Sequence, residues 1–274
     1  MQIQVETTNV CNADCVFCEY GKMSRPKGTM SMEMFRRIVD ETATLPLVDH
    51  FTITGLGEPL LDRFLLDRIR YIRKVLPEIQ LDIYTNGSFL RPAMTDSLIA
   101  AGLTTLYVSL NAVSVEKRWE VMKLHDFEEV MGYVRYAIAA SHRSGHTQVI
   151  VKGIISKDLM ENGDQEKFID TFGGPSYMGG NAFLHLEGNW AGAVWPMRAV
   201  MKQPCSRALN QIMILQDGRV SLCCFDGDGR EILGDLNFQT IREVFNGPKA
   251  TGIRLAHSEG RRNEIALCAG CTGI

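Results

Sequence analysis

Residues 3–43 read IQVETTNVCNADCVFCEYGKMSRPKGTMSMEMFRRIVDETA. A short strand-like run, Ile3–Thr7, leads directly into a loop that holds three cysteines. Beyond that loop Met34, Phe35, Ile38 and Val39 recur at helical spacing, which predicts a helix from Ser31 to Ala43 with Ser31 as its cap. Met23 to Thr29, broken by Pro26 and Gly28, reads as the connection between loop and helix. Strand, loop and helix thus form one unit of about forty residues, and the fold depends on whether that unit repeats.

It does. His50–Thr54 precedes Arg63–Val75, Gln80–Tyr84 precedes Arg91–Ala101, and Thr105–Leu110 precedes Phe127–Ala140. Thr147–Ile155 then precedes Gln165–Phe172, and a sixth apolar run follows at Ala182–Leu186. Alternation of this kind implies parallel strands joined by crossover helices. Six units predict an α/β fold of the open, partial (β/α)6 TIM-like barrel type rather than a closed ring of eight. The rhythm fades in the glycine- and aromatic-rich stretch 173–195, so the expected domains are 1–190 and 191–274. In the second, Gln211–Leu215 and Val220–Cys224 flank an Asp217-Gly218 turn and read as a hairpin, followed by a short helix around Ile241–Phe245 and a closing CxxC.

The chain has 274 residues, 45% of them hydrophobic, and a formal net charge of -3, with no long basic run. That balance argues against nucleic acid as a partner, because phosphate backbones are met by basic faces. No stretch approaches the roughly 20 uninterrupted apolar residues of a spanning helix, and the N-terminus lacks the order of a signal peptide. The expectation is a cytoplasmic protein with no membrane partner. Eight cysteines in such a chain are poorly explained by disulfides and are read as metal-binding or catalytic chemistry.

Cys11-Asn-Ala-Asp-Cys15-Val-Phe-Cys18 presents three thiolates from one loop after the first strand. Thiolates so spaced wrap a soft metal centre, either a zinc ion that borrows a fourth ligand or an iron-sulfur cubane with one iron left open. The C-x3-C-x2-C loop after a first strand resembles the signature of the radical S-adenosylmethionine (SAM) superfamily. The resemblance implies a [4Fe-4S] cluster held by these three cysteines and reductive cleavage of SAM to a 5'-deoxyadenosyl radical that abstracts a substrate hydrogen. Gly55-Leu56-Gly57-Glu58-Pro59 resembles the family's Gly-Gly-Glu-Pro segment, with Leu56 where the first of the paired glycines usually stands. By the same resemblance Gly57, Glu58 and Pro59 bind the methionine end of SAM, and Phe17 contacts the adenine. Tyr84-Thr85-Asn86-Gly87 and Ser109-Leu110-Asn111-Ala112 resemble segments that line the SAM site, which makes Thr85, Asn86, Ser109 and Asn111 further cofactor-binding candidates. All fall at strand C-termini, where barrel active sites collect.

A second set, Cys205-x12-Gly218-x4-Cys223 with Cys268-Ala-Gly-Cys271, offers four thiolates, enough to saturate either a cubane or a zinc ion. It resembles the SPASM extension and, with no cysteine after Cys271, its shortened relative, the twitch domain. The resemblance implies a second, auxiliary [4Fe-4S] cluster on Cys205, Cys223, Cys268 and Cys271. Cys224 is extra: it substitutes for Cys223, sits buried, or donates a hydrogen atom to a substrate radical.

The layout resembles compact twitch-domain dehydrogenases. That implies an oxidoreductase acting on a small hydroxylated metabolite of aminocyclitol or sugar type, with the auxiliary cluster as electron acceptor and a reductase, flavodoxin or ferredoxin as the external electron donor. The alternative is maturation or epimerisation of a precursor peptide. Lys152, His185 and Glu187, on or just after the fifth and sixth strands, are the candidate acid–base residues, with Cys224 as a fourth catalytic candidate.

Overall fold

A computed structural model of the chain describes residues 1–155, 162–186, 188–194 and 203–272. Six strands, β1 (Gln2–Val5), β2 (His50–Ile53), β3 (Gln80–Thr85), β4 (Thr105–Ser109), β5 (Gln148–Ile155) and β6 (Ala182–Leu186), pair in parallel, each with its successor in the chain. The helices α1 (Met32–Thr42), α2 (Leu65–Val75), α3 (Pro92–Ala100), α4 (Val115–Met122), α5 (Phe127–Ser144) and α6 (Asn162–Thr171) lie between them in the chain. Among the described residues the sheet does not close, as six units predict, and the boundaries of these six strands fall within two residues of the sequence reading.

The strands alternate by face, and the two faces differ in chemistry. Ile3, Val5, Phe51, Ile53, Leu81, Ile83, Leu106 and Val108 are buried on the helical side, in one core with Phe35, Ile38, Ile69, Ile72 and Val134. The residues between them point into the concave side and are polar or aromatic. Near the strand starts, Gln211 Nε2 donates to Gln2 Oε1 (2.6 Å), and Gln2 Nε2 to Thr52 Oγ1 (2.7 Å). Gln80 Nε2 donates to Asp82 Oδ1 (3.0 Å) and Thr105 Oγ1 (2.9 Å). A concave face closed at the strand starts by hydrogen-bonded side chains leaves the strand C-termini as its open end.

Ser31 caps α1 as expected, its hydroxyl accepting from Met34 N at 3.1 Å. The sequence reading passed over α4, which starts on the Ser114 hydroxyl and ends at Lys123 in the left-handed region, φ 59°.

After α7 (Ser206–Asn210), the hairpin of β7 (Gln211–Ile214) and β8 (Arg219–Ser221) does not stand apart from the barrel. β7 runs parallel to β1, Ile3 opposite Ile212 and Val5 opposite Ile214, so β7, β8 and β9 (Ile232–Asp235) extend the sheet to nine strands. β8 ends earlier than the alternation suggests, because Ser221 Oγ bonds Asp226 Oδ2 (2.7 Å) and turns the chain at the two cysteines. The helices α8 (Ile241–Asn246), α9 (Pro248–Ser258) and α10 (Ala266–Ala269) complete the described chain. No described helix is long and apolar enough to cross a membrane.

Candidate active site

The cysteine loop leaves the end of β1 and is braced from two sides. Asp14 N and Val16 N donate to the carbonyls of Met122 and Val121 at the end of α4 (3.2 and 3.0 Å). The Tyr20 hydroxyl accepts from Cys11 N and donates to Cys11 O, each at 3.1 Å. Phe17 packs with Cys11 and Cys15 against Ala13, Val121, Met122, Leu124 and Ile154. Ala13 N donates to Cys11 Sγ (3.4 Å) and Tyr20 N to Cys18 Sγ (3.5 Å), the kind of N–H···S bond that supports an anionic sulfur. Without a cation the three sulfurs are poor thiolates. Burial pushes Cys11 up to about 11 and Cys18 to about 12, and raises Cys15 well above the ordinary thiol, with the neighbouring thiols adding to each rise on Cys15. A donor set of three mutually repelling soft ligands in an apolar hollow fits a polycationic iron-sulfur centre. Among the described residues no three metal-binding side chains converge as the ligands of a single ion do.

The loops after β2 and β3 close on this one. A Cβ at Gly57 would lie 2.1 Å from Thr8 O, so only glycine lets the two backbones meet. Leu56, the departure from the family pattern, turns its side chain toward the second half of the chain, where its δ-carbons would stand 2.7 Å from a Cβ at Gly227. Pro59 begins a short 3-10 turn, Pro59–Leu61, that Glu58 caps. The buried Glu58 carboxylate accepts from Leu60 N (3.0 Å) and Thr85 Oγ1 (2.7 Å) on one oxygen and from Asn86 N (2.7 Å) on the other. Three of its acceptor positions therefore serve the protein, and they tie the second strand end to the third. Asn86 Nδ2 reaches Asn12 Oδ1 (2.8 Å) beside Cys11.

Asn111 follows β4 with φ 53°, donates its N–H to Lys152 O (3.1 Å), and keeps its side-chain oxygen buried without a hydrogen-bond partner. Ser109, the last residue of β4, lies opposite Lys152 on β5. An unpartnered buried acceptor at the strand ends suits an amino-acid ligand such as the methionine end of SAM. Arg118, missed in the sequence reading, joins these pieces. Its fully buried guanidinium donates to Asp126 (2.7 Å), Leu110 O (3.2 Å) and Asn86 O (3.0 Å), and its charge acts to lower Cys15. The signal that could have found it is Ser114 as a helix cap ahead of Val115–Met122.

Lys152 and His185 both come to the concave face. Lys152 lies opposite Phe183, its Nζ 4.8 Å from the centre of the Tyr84 ring, 5.8 Å from Phe183 and 6.0 Å from Tyr107. Burial, then Arg207, lowers its pKa to about 8. His185 sits across from Ile154 with Nδ1 3.1 Å from Leu186 O, and burial, then Lys152, lowers it to about 4. Glu187 lies outside the described residues.

Cys205, Cys223, Cys268 and Cys271 line one cavity, together with Arg207, Phe225, Arg262 and the apolar Ala208, Leu222 and Leu267. Four thiols around a mostly apolar hollow fit a saturated cluster. Cys223 is raised far above an ordinary thiol by burial and then by Cys224, and Cys268 is raised to about 12 by burial. His257 Nδ1 accepts from Cys205 N (3.2 Å), and Arg262 donates to Cys271 O (3.0 Å). Cys224 is not part of that lining. It bonds the Arg207 side chain and lies within electrostatic range of Tyr84 and Lys152, on the barrel side.

The two halves are bonded through the segment after Cys224. The buried Arg25 guanidinium pairs with both Glu6 oxygens (2.8 and 3.0 Å) and donates to Gly227 O (2.8 Å). Asp228 accepts from Ser24 N, Ser24 Oγ and Arg25 N (2.8, 2.7 and 3.1 Å), and Gly227 N donates to Glu19 (3.1 Å).

A family model described as the radical SAM superfamily matches residues 5–162, and one described as an iron-sulfur cluster-binding domain, SPASM, matches residues 205–272. The S-adenosyl-L-methionine-dependent 2-deoxy-scyllo-inosamine dehydrogenase of Niallia circulans is 21% identical over 274 residues, spanning 99% of this chain and 92% of that protein. The crystal structure of BtrN in complex with AdoMet and 2-DOIA superposes with a TM-score of 0.70 at 20% identity, covering all of this chain and 93% of that one. Streptococcus suis SuiB bound to the precursor peptide SuiA gives a TM-score of 0.68 at 13% identity, over 92% of this chain and 66% of that one.

Proposed function

This chain belongs to the radical SAM superfamily, and from that premise we propose that it is a dehydrogenase that removes two electrons and two protons from a secondary alcohol of a small hydroxylated metabolite. The observation that carries the reading is that residues bordering both cysteine sets reach one concave face. The three-thiol loop lies at the strand C-termini, and the four-thiol cavity shares Arg207 with the face that carries Lys152 and His185. The two family domains imply [4Fe-4S] clusters. When bound, one of them supplies the reducing electron for SAM cleavage and the other an acceptor for a substrate electron.

The chain's own residues supply the proton chemistry. Loss of a hydrogen atom from the carbinol carbon makes the remaining O–H acidic, and a carbonyl forms once that proton and one further electron leave. His185 accepts the proton. Its Nδ1 hydrogen is directed to Leu186 O, which leaves Nε2 as the lone-pair nitrogen, and burial, then the Lys152 charge, keeps the ring neutral. A weak base suffices because Lys152 stabilises the oxygen anion left behind. Thr85, Asn86, Ser109 and Asn111 hold SAM, with the backbone at Gly57. The boundary near residue 190 separates the SAM-binding part from the auxiliary part. Eight cysteines without a disulfide among the described residues suit the cytoplasm, where a flavodoxin, ferredoxin or reductase would deliver the first electron.

The test is anaerobic reconstitution with iron and sulfide, followed by iron counting and dithionite-driven SAM turnover with candidate polyols. About eight irons per chain, 5'-deoxyadenosine and a product two electrons more oxidised are expected, with about four irons and no cleavage in a Cys11, Cys15, Cys18→Ala variant. Cleavage with no oxidised product from any alcohol tested would overturn the dehydrogenase. One observation favours a second reading, redox-neutral epimerisation of a peptide: Cys224 is turned to the barrel side, where a thiol can return a hydrogen atom. Solvent deuterium in an unoxidised product would identify that outcome.

A further inference from the structure

Gln4, on β1, is 7% exposed, and its Oε1 is buried without a hydrogen-bond partner. Ile3 and Val5 on either side of it belong to the core under the helices, so alternation turns Gln4 to the concave face. The polar neighbours on that face are engaged elsewhere. Gln2 accepts from Gln211 Nε2 and donates to Thr52 Oγ1, and Glu6 holds Arg25, Leu56 N and Gln216 N. Across the sheet, Gln4 faces Thr52 on β2, which Gln2 already occupies, and Met213 on β7, which brings no amide or hydroxyl. A buried amide oxygen left unpartnered costs folding free energy, and proteins retain such a cost where a ligand supplies the missing bond.

The register carries the same row of the sheet from Thr52 to Asp82 on β3. Asp82 is 6% exposed and accepts from Gln80 Nε2 (3.0 Å). Its charge raises Tyr84, two residues further along β3, and Tyr107, whose ring is stacked 4.4 Å from that of Tyr84. Lys152 Nζ lies over the Tyr84 ring, so the row lies on the face that carries Lys152, nearer the strand starts. Gln4 Oε1 and the Asp82 carboxylate are both acceptors. Acceptors are answered by hydroxyl or amino hydrogens, which ionised carboxylates and phosphates do not bring.

We infer that Gln4 is a substrate-binding residue, whose amide oxygen accepts from a hydroxyl or amino group of the substrate away from the carbon that is oxidised. The terminal torsion of glutamine is soft, so the amide can turn to such a group without leaving its rotamer. The inference rests on the dehydrogenase reading for the identity of the site alone.

The first test needs no substrate. In the reconstituted enzyme Gln4→Met should leave the urea midpoint unchanged or raise it, because it replaces an unpartnered amide by an apolar side chain of similar length. A lowered midpoint would mean that the fold itself satisfies Gln4, and it would overturn the inference. The second test is calorimetric titration with SAM bound. The probes are scyllo-inositol, 2-deoxy-scyllo-inosamine and cyclohexanol, the last a ring with a single hydroxyl and no further donor. Expected is binding of the first two at least about tenfold tighter than cyclohexanol, with that margin lost in Gln4→Met. Tighter binding of the inositol, or equal binding of the two, names a hydroxyl as the donor. Tighter binding of the inosamine names the amino group, and Gln4→Glu should then tighten it further by adding a charge. Cyclohexanol binding as well as the other two, no binding of any probe, or a margin unchanged in Gln4→Met overturns the inference. Product analysis separates the two claims. Two-electron oxidation of an alcohol whose KM is the same in Gln4→Met sinks this inference and leaves the dehydrogenase standing. A margin that depends on Gln4, without any two-electron oxidation, does the opposite.

Discussion

The proposed reaction needs Lys152 and His185 in opposite protonation states, charged for the first and neutral for the second. In the free enzyme His185 loses its neutral form as pH falls through about 4, and Lys152 loses its charge as pH rises through about 8. The kcat/KM of the dehydrogenase should therefore be bell-shaped with limbs near those values, since that ratio reports the free enzyme. Lys152→Arg should move the alkaline limb upward, because a guanidinium keeps its charge. Cys224 gives a second test at this scale. Because it lies outside the four-thiol cavity, Cys224→Ala should keep about eight irons per chain, whereas Cys223→Ala should lose iron from the second set, as elemental analysis would read. A third concerns Gly57. A methyl group there would meet the Thr8 carbonyl at 2.1 Å, so Gly57→Ala must push the cysteine loop off β1, and iron on the first set should fall by half or more.

At the scale of elements, two connections decide how the loops are held. α4 receives Asp14 and Val16 at its last carbonyls and sends Arg118 back to the ends of β3 and β4. A helix of eight residues thereby aligns the cysteine loop with the strand ends proposed to line the SAM site. The Glu6–Arg25 pair does similar work on the other side. Glu6 also accepts from Leu56 N (3.0 Å) and Gln216 N (3.3 Å), so one buried carboxylate anchors the β1 end, the β2 loop and the β7 turn. Removing only the cation leaves that carboxylate buried without its charge partner. Arg25→Met should cost about 3–5 kcal/mol, measured as a lowered urea midpoint, and Glu6→Gln combined with Arg25→Met should recover part of the loss.

For the whole molecule, the pairing of β7 along β1 makes the auxiliary segment part of the barrel sheet. The bonds from Ser24, Arg25 and Glu19 to residues 227 and 228 fasten the two cysteine regions to each other beyond that sheet. The two cluster-bearing parts should then unfold together. Denaturation of the reconstituted protein, followed by far-ultraviolet circular dichroism and by iron-sulfur absorbance, should give one coincident transition, and two separated ones would show that the parts are independent.

Much of this was readable from the chain itself. The strand–helix repeat follows from local periodicity, and the cysteine sets from spacing, because ligands in one loop need only a few residues to reach one centre. The Ser31 cap and the strand ends at Thr85 and Ser109 are equally local. What depended on distant contacts was not readable. The sequence offered Glu58 as a SAM ligand, and only the fold shows its carboxylate held by Thr85 and Asn86, 27 and 28 residues away. Leu56 looked like a defect in a glycine motif until Gly227 was brought against it. The Ser114 cap marks the helix that carries Arg118 but not what Arg118 bonds, since its partners come from three separate strand ends and loops. The direction of Cys224 was open for the same reason: adjacent cysteines are equivalent in spacing, and the turn closed by Ser221 and Asp226 sends one to the cavity and the other to the barrel. Periodicity and ligand spacing are properties of neighbouring residues and survive in a string of letters, whereas charge pairing, close approach and the aim of a side chain are set by residues that only folding makes neighbours.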